Sequence, residues 1–231
     1  MTELHEIKKG QTGNGLLIDN DGYMQLSEER ILKEGINAES GWHVPHPFVV
    51  DAVFQKFGIK NANGRIYPED VLKREVERYQ QLIADNRALG ELNHPETSSL
   101  DLSRISHNII ELHWEGRTLV GKLVLNTSEG FRRQGIVTTC GDEAANLMLN
   151  GFKIGVSSRA IGSVEEKLGV LYVGQDLEIV GFDLVATPST CNAFLTLDGP
   201  EGLRPYIESK ETDTTKSSIN EKINKIKHIL H

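Results

Sequence analysis

Midway along this chain the spacing of the apolar residues changes from helical to strand-like, and that change limits the folds open to it. The segment "PEDVLKREVERYQQLIADN", residues 68–86, places apolar side chains three or four positions apart, which is typical of a helix packed on one face. From "ISHNIIELHWEGRTLVGKLVLN" onward the spacing favours strands, and "EGR" joins two of them in a predicted hairpin. Glycine-punctuated strands and one short helix, "GDEAANLMLNG", follow. Because helices and strands do not alternate regularly, we expect an α+β domain or a β-barrel surrounded by helices rather than a doubly wound sheet.

Composition narrows the class of protein further. The chain of 231 residues has a formal net charge of −8, which does not suit a protein that covers nucleic-acid phosphates. Its two cysteines, Cys140 and Cys191, are too few for a disulfide framework and fit a reducing compartment. We find no signal peptide and no apolar run of the roughly 20 residues that a membrane span needs. We therefore expect a cytoplasmic protein with one core, no membrane partner and no direct nucleic-acid partner.

The core is predicted to occupy the middle of the chain. Apolar density rises at "HPFVVDAVFQKFG", so we place the start of the domain at residue 46. The polar stretch "ESKETDTTKSS" is typical of a mobile linker, and "INEKINKIKHILH" repeats isoleucine at helical spacing. This last segment is either a frayed C-terminus or a helix that docks on a partner. The predicted parts are an N-terminal extension with a short helix at Ser27–Gly35, the domain, the linker and a C-terminal amphipathic helix: residues 1–45, 46–205, 206–218 and 219–231.

The stretch "RALGELNHPETSS" contains a single histidine, His94, just after the long helix. Pro95 biases His94 towards extended backbone and so fixes the direction of the ring, as a general base requires, although many surface loops share this pattern. His43 and His46 are close in sequence, but no cysteine or carboxylate with ligand spacing joins them, so a metal site is not expected.

Two serines, Ser157 and Ser158, interrupt the apolar strand "GFKIGVSSRAIG". Because side chains alternate along a strand, the two hydroxyls face opposite ways. They are either ordinary strand serines, or one is a nucleophile that needs a base for its proton and a donor for the oxyanion. His94 is a candidate base, and Arg159 or the backbone N–H groups near it are candidate donors. The chain has no GxSxG elbow, which argues against an α/β-hydrolase.

Taken together, "GELNHP" and "GVSSRAIGS" resemble the prohead (procapsid) maturation proteases of tailed bacteriophages of the myovirus type. The segments "NANGRIYPEDVLKREV" and "VGFDLVATPST" extend the resemblance over about residues 46–195. It implies a serine endopeptidase without a cofactor, whose fold is similar to that of herpesvirus assembly proteases: a β-barrel surrounded by helices. The implied substrates are phage scaffold or core proteins and the major capsid protein, inside the prohead in the host cytoplasm. Assembly into a homo-oligomer is left open.

The resemblance also implies roles for single residues. His94 is the expected general base and Ser157 the expected nucleophile. The family suggests a third group that orients the imidazole; we expect Asp183, an acid in an apolar strand, with Glu91 as the alternative. The residues expected to support this group or the oxyanion are Arg159, Ser158 and Glu91.

The resemblance further suggests cleavage after glutamate, with an aliphatic residue two positions earlier. "LKE" and "INE" match this pattern, which predicts self-cleavage after Glu34 and Glu221 that releases the enzyme from the scaffold core. Two rival functions stay open at this point. A catalytically silent scaffold or capsid-associated protein would not react with a reagent for active serines. A hydrolase of small esters or amides would be separated from an endopeptidase by a panel of peptide and ester substrates.

Overall fold

The computed structural model describes residues 5–25, 44, 46–150 and 152–186, which form a mixed α+β domain dominated by strands. The strands in chain order are β1 (Gly13–Gln25), β2 (Phe48–Lys56), β3 (Arg65–Ile66), β4 (Leu89–Glu91), β5 (Ile105–Glu115), β6 (Thr118–Leu125), β7 (Ile154–Lys167), β8 (Val170–Val173) and β9 (Glu178–Val185). The helices are α1 (Glu69–Ala84), α2 (Glu129–Gln134) and α3 (Cys140–Leu149), with a 3-10 turn at Leu102–Arg104. The α+β prediction is confirmed, as are the long helix, the hairpin β5–β6 and the short helix α3.

The strands form one nine-stranded sheet in the order β3-β8-β7-β1-β2-β6-β5-β4, and β9 adds to it by pairing with β7. The long strand β7 pairs with β1 along one edge and with β9 and then β8 along the other. At the far end of the order, β4 meets β9 through the isolated bridge between Leu92 and Leu184. Within the described part of the chain the ladders therefore do not close, and the expected β-barrel is replaced by an incompletely closed sheet.

Strand β1 corrects the predicted start of the domain. It pairs antiparallel with β7 from Gly13 opposite Val164 to Met24 opposite Ile154, and its end also pairs with β2. The sequence boundary at residue 46 missed it because the stretch is polar and rich in glycine. Its apolar part is only three residues long, and it is stabilised by pairing with its two neighbours together with the burial of Leu16 and Leu17. Residues 13–25 thus belong to the domain and not to an extension.

Several other predicted features lie outside the described residues. These are the helix at Ser27–Gly35, the linker 206–218, the C-terminal helix 219–231, the cleavage positions Glu34 and Glu221, His43, and Cys191. Among the helices of the described ranges, none is long and apolar enough to cross a membrane.

Helix α1 holds β9 against the core. It begins after Pro68, and Glu69 and Asp70 lie in its first turn, where the helix dipole favours negative charge. Near its end the Tyr79 ring packs edge-on against Phe182 of β9, with 5.4 Å between the ring centroids. Because Phe182 directly precedes Asp183, this contact also fixes the strand that carries the predicted third active-site residue. The buried face of α1 consists of Val71, Leu72, Glu75, Val76 and Tyr79.

Candidate active site

The fold brings together three residues that are far apart in sequence: His94, Ser157 and Asp183. Ser157 of β7 and Asp183 of β9 are direct partners in the antiparallel ladder. The imidazole of His94 lies between them: Nδ1 is 2.9 Å from Asp183 Oδ2, and Nε2 makes a hydrogen bond with Ser157 Oγ. A carboxylate only accepts, so Nδ1 carries the ring proton and Nε2 accepts from the Ser157 hydroxyl. This is the arrangement in which a serine can lose its proton to a neighbouring base.

A tight turn places His94 over β9. Asn93 has a positive φ of 64°, a left-handed conformation that asparagine adopts more readily than most residues. Its N–H donates to the Leu184 carbonyl at 2.8 Å, one residue beyond Asp183. With the bridge between Leu92 and Leu184, this bond anchors the end of β4 beside Asp183 just before the chain reaches His94.

Ser158 lies on the opposite face of β7, as strand alternation predicts. Its Oγ accepts a hydrogen bond from Gln55 Nε2 at 3.0 Å and lies 3.5 Å from the Asp19 carbonyl oxygen of β1. Ser158 therefore stabilises the packing of β7 on β1 and β2. Strand β1 bulges between Asp19 and Gly22, directly opposite Ser157, and bulges of this kind are common next to active sites.

Asp183 is fully buried, and its charge is compensated inside the protein. Its Oδ1 accepts from the Glu91 backbone N–H at 2.9 Å and from Arg159 Nη2 at 3.2 Å. Arg159 Nε lies 3.0 Å from Oδ2, the same oxygen that accepts from His94. A buried carboxylate without such partners would be strongly unfavourable, so Arg159 allows Asp183 to stay ionised beside the imidazole.

The Arg159 side chain supports the loop after His94 rather than the oxyanion. Its Nη1 donates to the carbonyls of Thr97 and Ser99, at 3.0 and 3.3 Å, and its Nη2 also donates to Glu91 Oε1 at 3.1 Å. The guanidinium is fully buried, and each of its nitrogens faces one of these oxygens or Asp183. Only Nε makes no hydrogen bond, and it lies 3.0 Å from Asp183 Oδ2, so backbone N–H groups are the better candidate donors for an oxyanion at Ser157.

Glu91 does not act on the imidazole directly. Its Oε1 accepts from the Asp101 N–H at 2.9 Å in addition to Arg159, and its Oε2 lies 3.3 Å from Arg104 Nε. Arg104 also donates from Nη2 to the Leu92 carbonyl at 2.7 Å. Glu91 therefore completes the charge pairing of Arg159, while Asp183 is the carboxylate that touches His94. Sequence reasoning missed Arg104, because this contact depends on how the 3-10 turn folds back on β4.

Sequence reasoning also missed His107, a fully buried histidine of β5. Its Nε2 lies 3.0 Å from the Phe182 carbonyl oxygen and its Nδ1 lies 2.9 Å from Ser106 Oγ. Burial lowers the pKa of His107 to about 4, although the charge of Asp183 and the bond to Phe182 act in the opposite direction. The ring is thus neutral at pH 7. The one sequence signal was its inward-facing position in the apolar strand "ISHNIIEL".

The described residues contain no group of three or more histidine, cysteine, aspartate or glutamate side chains that could hold a metal ion. His46 lines a pocket of about 470 Å³ together with Asn86 and Thr127, and none of His94, Ser157 and Asp183 lines this pocket.

Comparisons with known proteins point to one family. The family model described as "Prohead core protein serine protease" matches residues 18–201, a region that begins inside β1. The prohead core protein protease of Enterobacteria phage T4 is 30% identical over 151 residues, which cover 64% of this chain and 67% of that protein. The solved structure of the bacteriophage T4 capsid assembly protease matches with a TM-score of 0.61 and 26% identity, covering 74% of this chain and 98% of that one.

Proposed function

The chain belongs to the prohead core protein serine protease family, and we propose that it is a serine endopeptidase that cleaves core and capsid proteins inside the phage prohead during head maturation. One observation carries the serine mechanism: the His94 imidazole lies between the Ser157 hydroxyl and the Asp183 carboxylate. The alternative of a catalytically silent scaffold offers no reason for a buried carboxylate, an oriented imidazole and a serine hydroxyl in this order.

The proposed reaction passes every proton through His94. Ser157 Oγ attacks the scissile carbonyl carbon while its proton moves to His94 Nε2, and the carbonyl electrons form an oxyanion. Asp183 stabilises the imidazolium through Nδ1–H. The imidazolium then protonates the leaving amine as the C–N bond breaks, which leaves an acyl-enzyme. His94 Nε2 next takes a proton from water while the water oxygen attacks the ester carbonyl. The imidazolium returns this proton to Ser157 Oγ as the ester C–O bond breaks, which releases the product acid and restores the neutral imidazole and the serine hydroxyl.

In this scheme Arg159 and Glu91 keep the Asp183 carboxylate charged and fixed. Removing the Arg159 or the Glu91 side chain would leave an unpaired charge among the buried groups Arg159, Glu91 and Asp183. Arg159 also binds the loop after His94, so one side chain holds both partners of the His94–Asp183 hydrogen bond in place.

The finer parts of the proposal rest on the family resemblance. They are cleavage after glutamate with an aliphatic residue two positions earlier, self-cleavage after Glu34 and Glu221, and a fold related to herpesvirus assembly proteases. The proposed substrates are the core or scaffold proteins and the major capsid protein. We also propose that the domain ends at residue 205 and is followed by a linker, residues 206–218, and a helix, residues 219–231.

Incubation of purified core protein with the enzyme tests the function. We expect the wild type to cut after glutamate, as read from the masses of the fragments, and Ser157→Ala and His94→Ala each to lose this activity. The double variant should be no slower than either single variant, because members of one catalytic unit are not additive. Equal cleavage by wild type and Ser157→Ala would rule out the proposed nucleophile, and a wild type that cuts none of the core and capsid proteins would favour the silent scaffold.

A further inference from the structure

The position of Asp183 depends on a weakly joined part of the sheet. Strands β4 and β9 meet through one isolated bridge, Leu92 to Leu184, and not through a continuous ladder. Yet the Glu91 N–H of β4 donates to the carboxylate of Asp183 in β9. A small sliding of β9 along β4 would break this bond and move the carboxylate relative to His94.

His107 of β5, the strand that pairs with β4, bridges this weak junction between β4 and β9. It is the ladder partner of Gly90 in β4, and its ring crosses Gly90 to reach the Phe182 carbonyl of β9 at 3.0 Å. A Cβ atom on Gly90 would lie 2.2 Å from the His107 ring and 2.2 Å from the Phe182 oxygen. Glycine at position 90 thus leaves the space through which β5 contacts β9.

The ring is held in a single tautomer. The Phe182 carbonyl only accepts, so His107 Nε2 carries the proton and donates it. Nδ1 then accepts from the Ser106 hydroxyl at 2.9 Å. Because the ring is fully buried and both nitrogens have partners, it cannot turn without leaving a buried polar group unpaired.

We propose that His107 is a positioning residue for proteolysis, which ties Phe182 to β5 across Gly90 and so fixes the neighbouring Asp183 carboxylate in register with the Glu91 N–H and His94. This role rests on the proposed serine protease function. His107 touches none of the reacting groups. It acts through Phe182, which precedes Asp183 in β9, and through Gly90, which precedes Glu91 in β4.

Paired substitutions at position 107 test the proposal. His107→Leu removes the donor at similar size, whereas His107→Gln keeps an N–H near the position of Nε2. We expect His107→Leu to lower kcat on a core-protein substrate by roughly tenfold to a hundredfold with KM unchanged, because small displacements of catalytic groups cost that much. His107→Gln should recover most of the rate. His113→Leu, at a half-exposed histidine of the same strand, is the matched control and should leave kcat unchanged.

A second readout needs no substrate. The His94 Nδ1 proton, bonded to Asp183, should give a downfield proton NMR signal in the wild type, in His107→Gln and in His113→Leu, and a shifted or missing signal in His107→Leu. If His107→Leu does not fold, Ser106→Ala replaces it: loss of the hydroxyl leaves the buried Nδ1 without its donor and the ring less firmly held, so kcat should fall and the signal should shift. A folded His107→Leu, or Ser106→Ala in its place, with unchanged kcat and signal would overturn the positioning role, as would His107→Gln as slow as His107→Leu. A wild type that shows the signal but cleaves nothing would instead overturn the proposed function.

Discussion

Adjacent serines of β7 have different surroundings, and this difference gives the first prediction. Ser158→Ala should keep the cleavage rate within a few-fold, because its hydroxyl contacts Gln55 and not His94. It should lower the free energy of unfolding by about 1–3 kcal/mol, since the buried Gln55 amide loses its acceptor. Denaturant unfolding and the cleavage rate, measured on one preparation, check both parts. A Ser158→Ala variant as inactive as Ser157→Ala would contradict the assignment of faces.

The two buried carboxylates predict a ranking of their amide variants. Asp183→Asn should reduce kcat by about 10⁴-fold, because the amide donates where the carboxylate accepts and so favours the wrong His94 tautomer. Glu91→Gln should reduce it much less, since Glu91 touches Arg159 and Arg104 but not the imidazole. Values of kcat for both variants, with unfolding curves to show that each is folded, provide the measurement. The reverse ranking would transfer the orienting role to Glu91.

The sequence predicted those residues of the candidate site whose role shows in their immediate sequence neighbours. Asp183 stood out as an acid in an apolar strand, and the alternation of Ser157 and Ser158 followed from strand geometry alone. Arg104 gave no such signal and His107 gave only its inward-facing position in β5, because their partners come from β4 and β9, which the sequence does not show to be neighbours. The sequence makes the Arg159 side chain a candidate donor for the oxyanion, because it does not reveal that the guanidinium faces Asp183, Glu91 and the loop after His94.

At the scale of elements, the close approach of β4, β5 and β9 explains why position 90 is a glycine. Gly90→Ala would place a methyl group against the backbone oxygen of Phe182 and the ring of His107. We expect loss of activity and lower thermal stability, although no catalytic group is changed. Gly90→Ala combined with His107→Ala should not recover, since the clash with the Phe182 oxygen remains. Recovery by the double variant would show that only the ring clash matters.

The buried imidazole of His107 predicts a pH dependence of stability. Burial lowers its pKa to about 4 from the ordinary value of 6.5, while Asp183 of β9 opposes this shift. Between pH 6.5 and 4 the unfolded state binds a proton that the folded state does not, so the free energy of unfolding falls as the pH falls. The full effect is on the order of 3 kcal/mol.

Unfolding of the wild type and His107→Gln, compared from pH 7 to pH 4, isolates this contribution because the other titrating groups are shared. The stability advantage of the wild type over the variant should shrink towards pH 4. A constant difference across the range would show that His107 does not titrate on unfolding.

At the scale of the whole molecule, β1 changes the expected consequence of self-cleavage. The sequence suggested an extension up to residue 45 because the stretch is polar. The structure instead places residues 13–25 between β7 and β2, where strand pairing and the buried side chains of Leu16 and Leu17 determine their position. Cleavage after Glu34 should therefore leave the fragment 1–34 bound to the domain, while cleavage after Glu221 removes the last ten residues.

Native mass spectrometry of the self-cleaved protein tests this prediction. We expect the mass of the complex to include the fragment 1–34 under native conditions and to lose it in denaturant. Ser157→Ala should stay intact in the same incubation. Release of the fragment without denaturant from a still active enzyme would show that β1 is dispensable.

The central claim is that Ser157 is the nucleophile activated by His94 and Asp183, and covalent labelling tests it most directly. Wild type, Ser157→Ala and Ser158→Ala are treated with a fluorophosphonate, and the modified residue is identified by peptide mass spectrometry. We predict one label, on Ser157, in the wild type and in Ser158→Ala, and none in Ser157→Ala. A label on Ser158, or equal labelling of Ser157→Ala, would contradict the account.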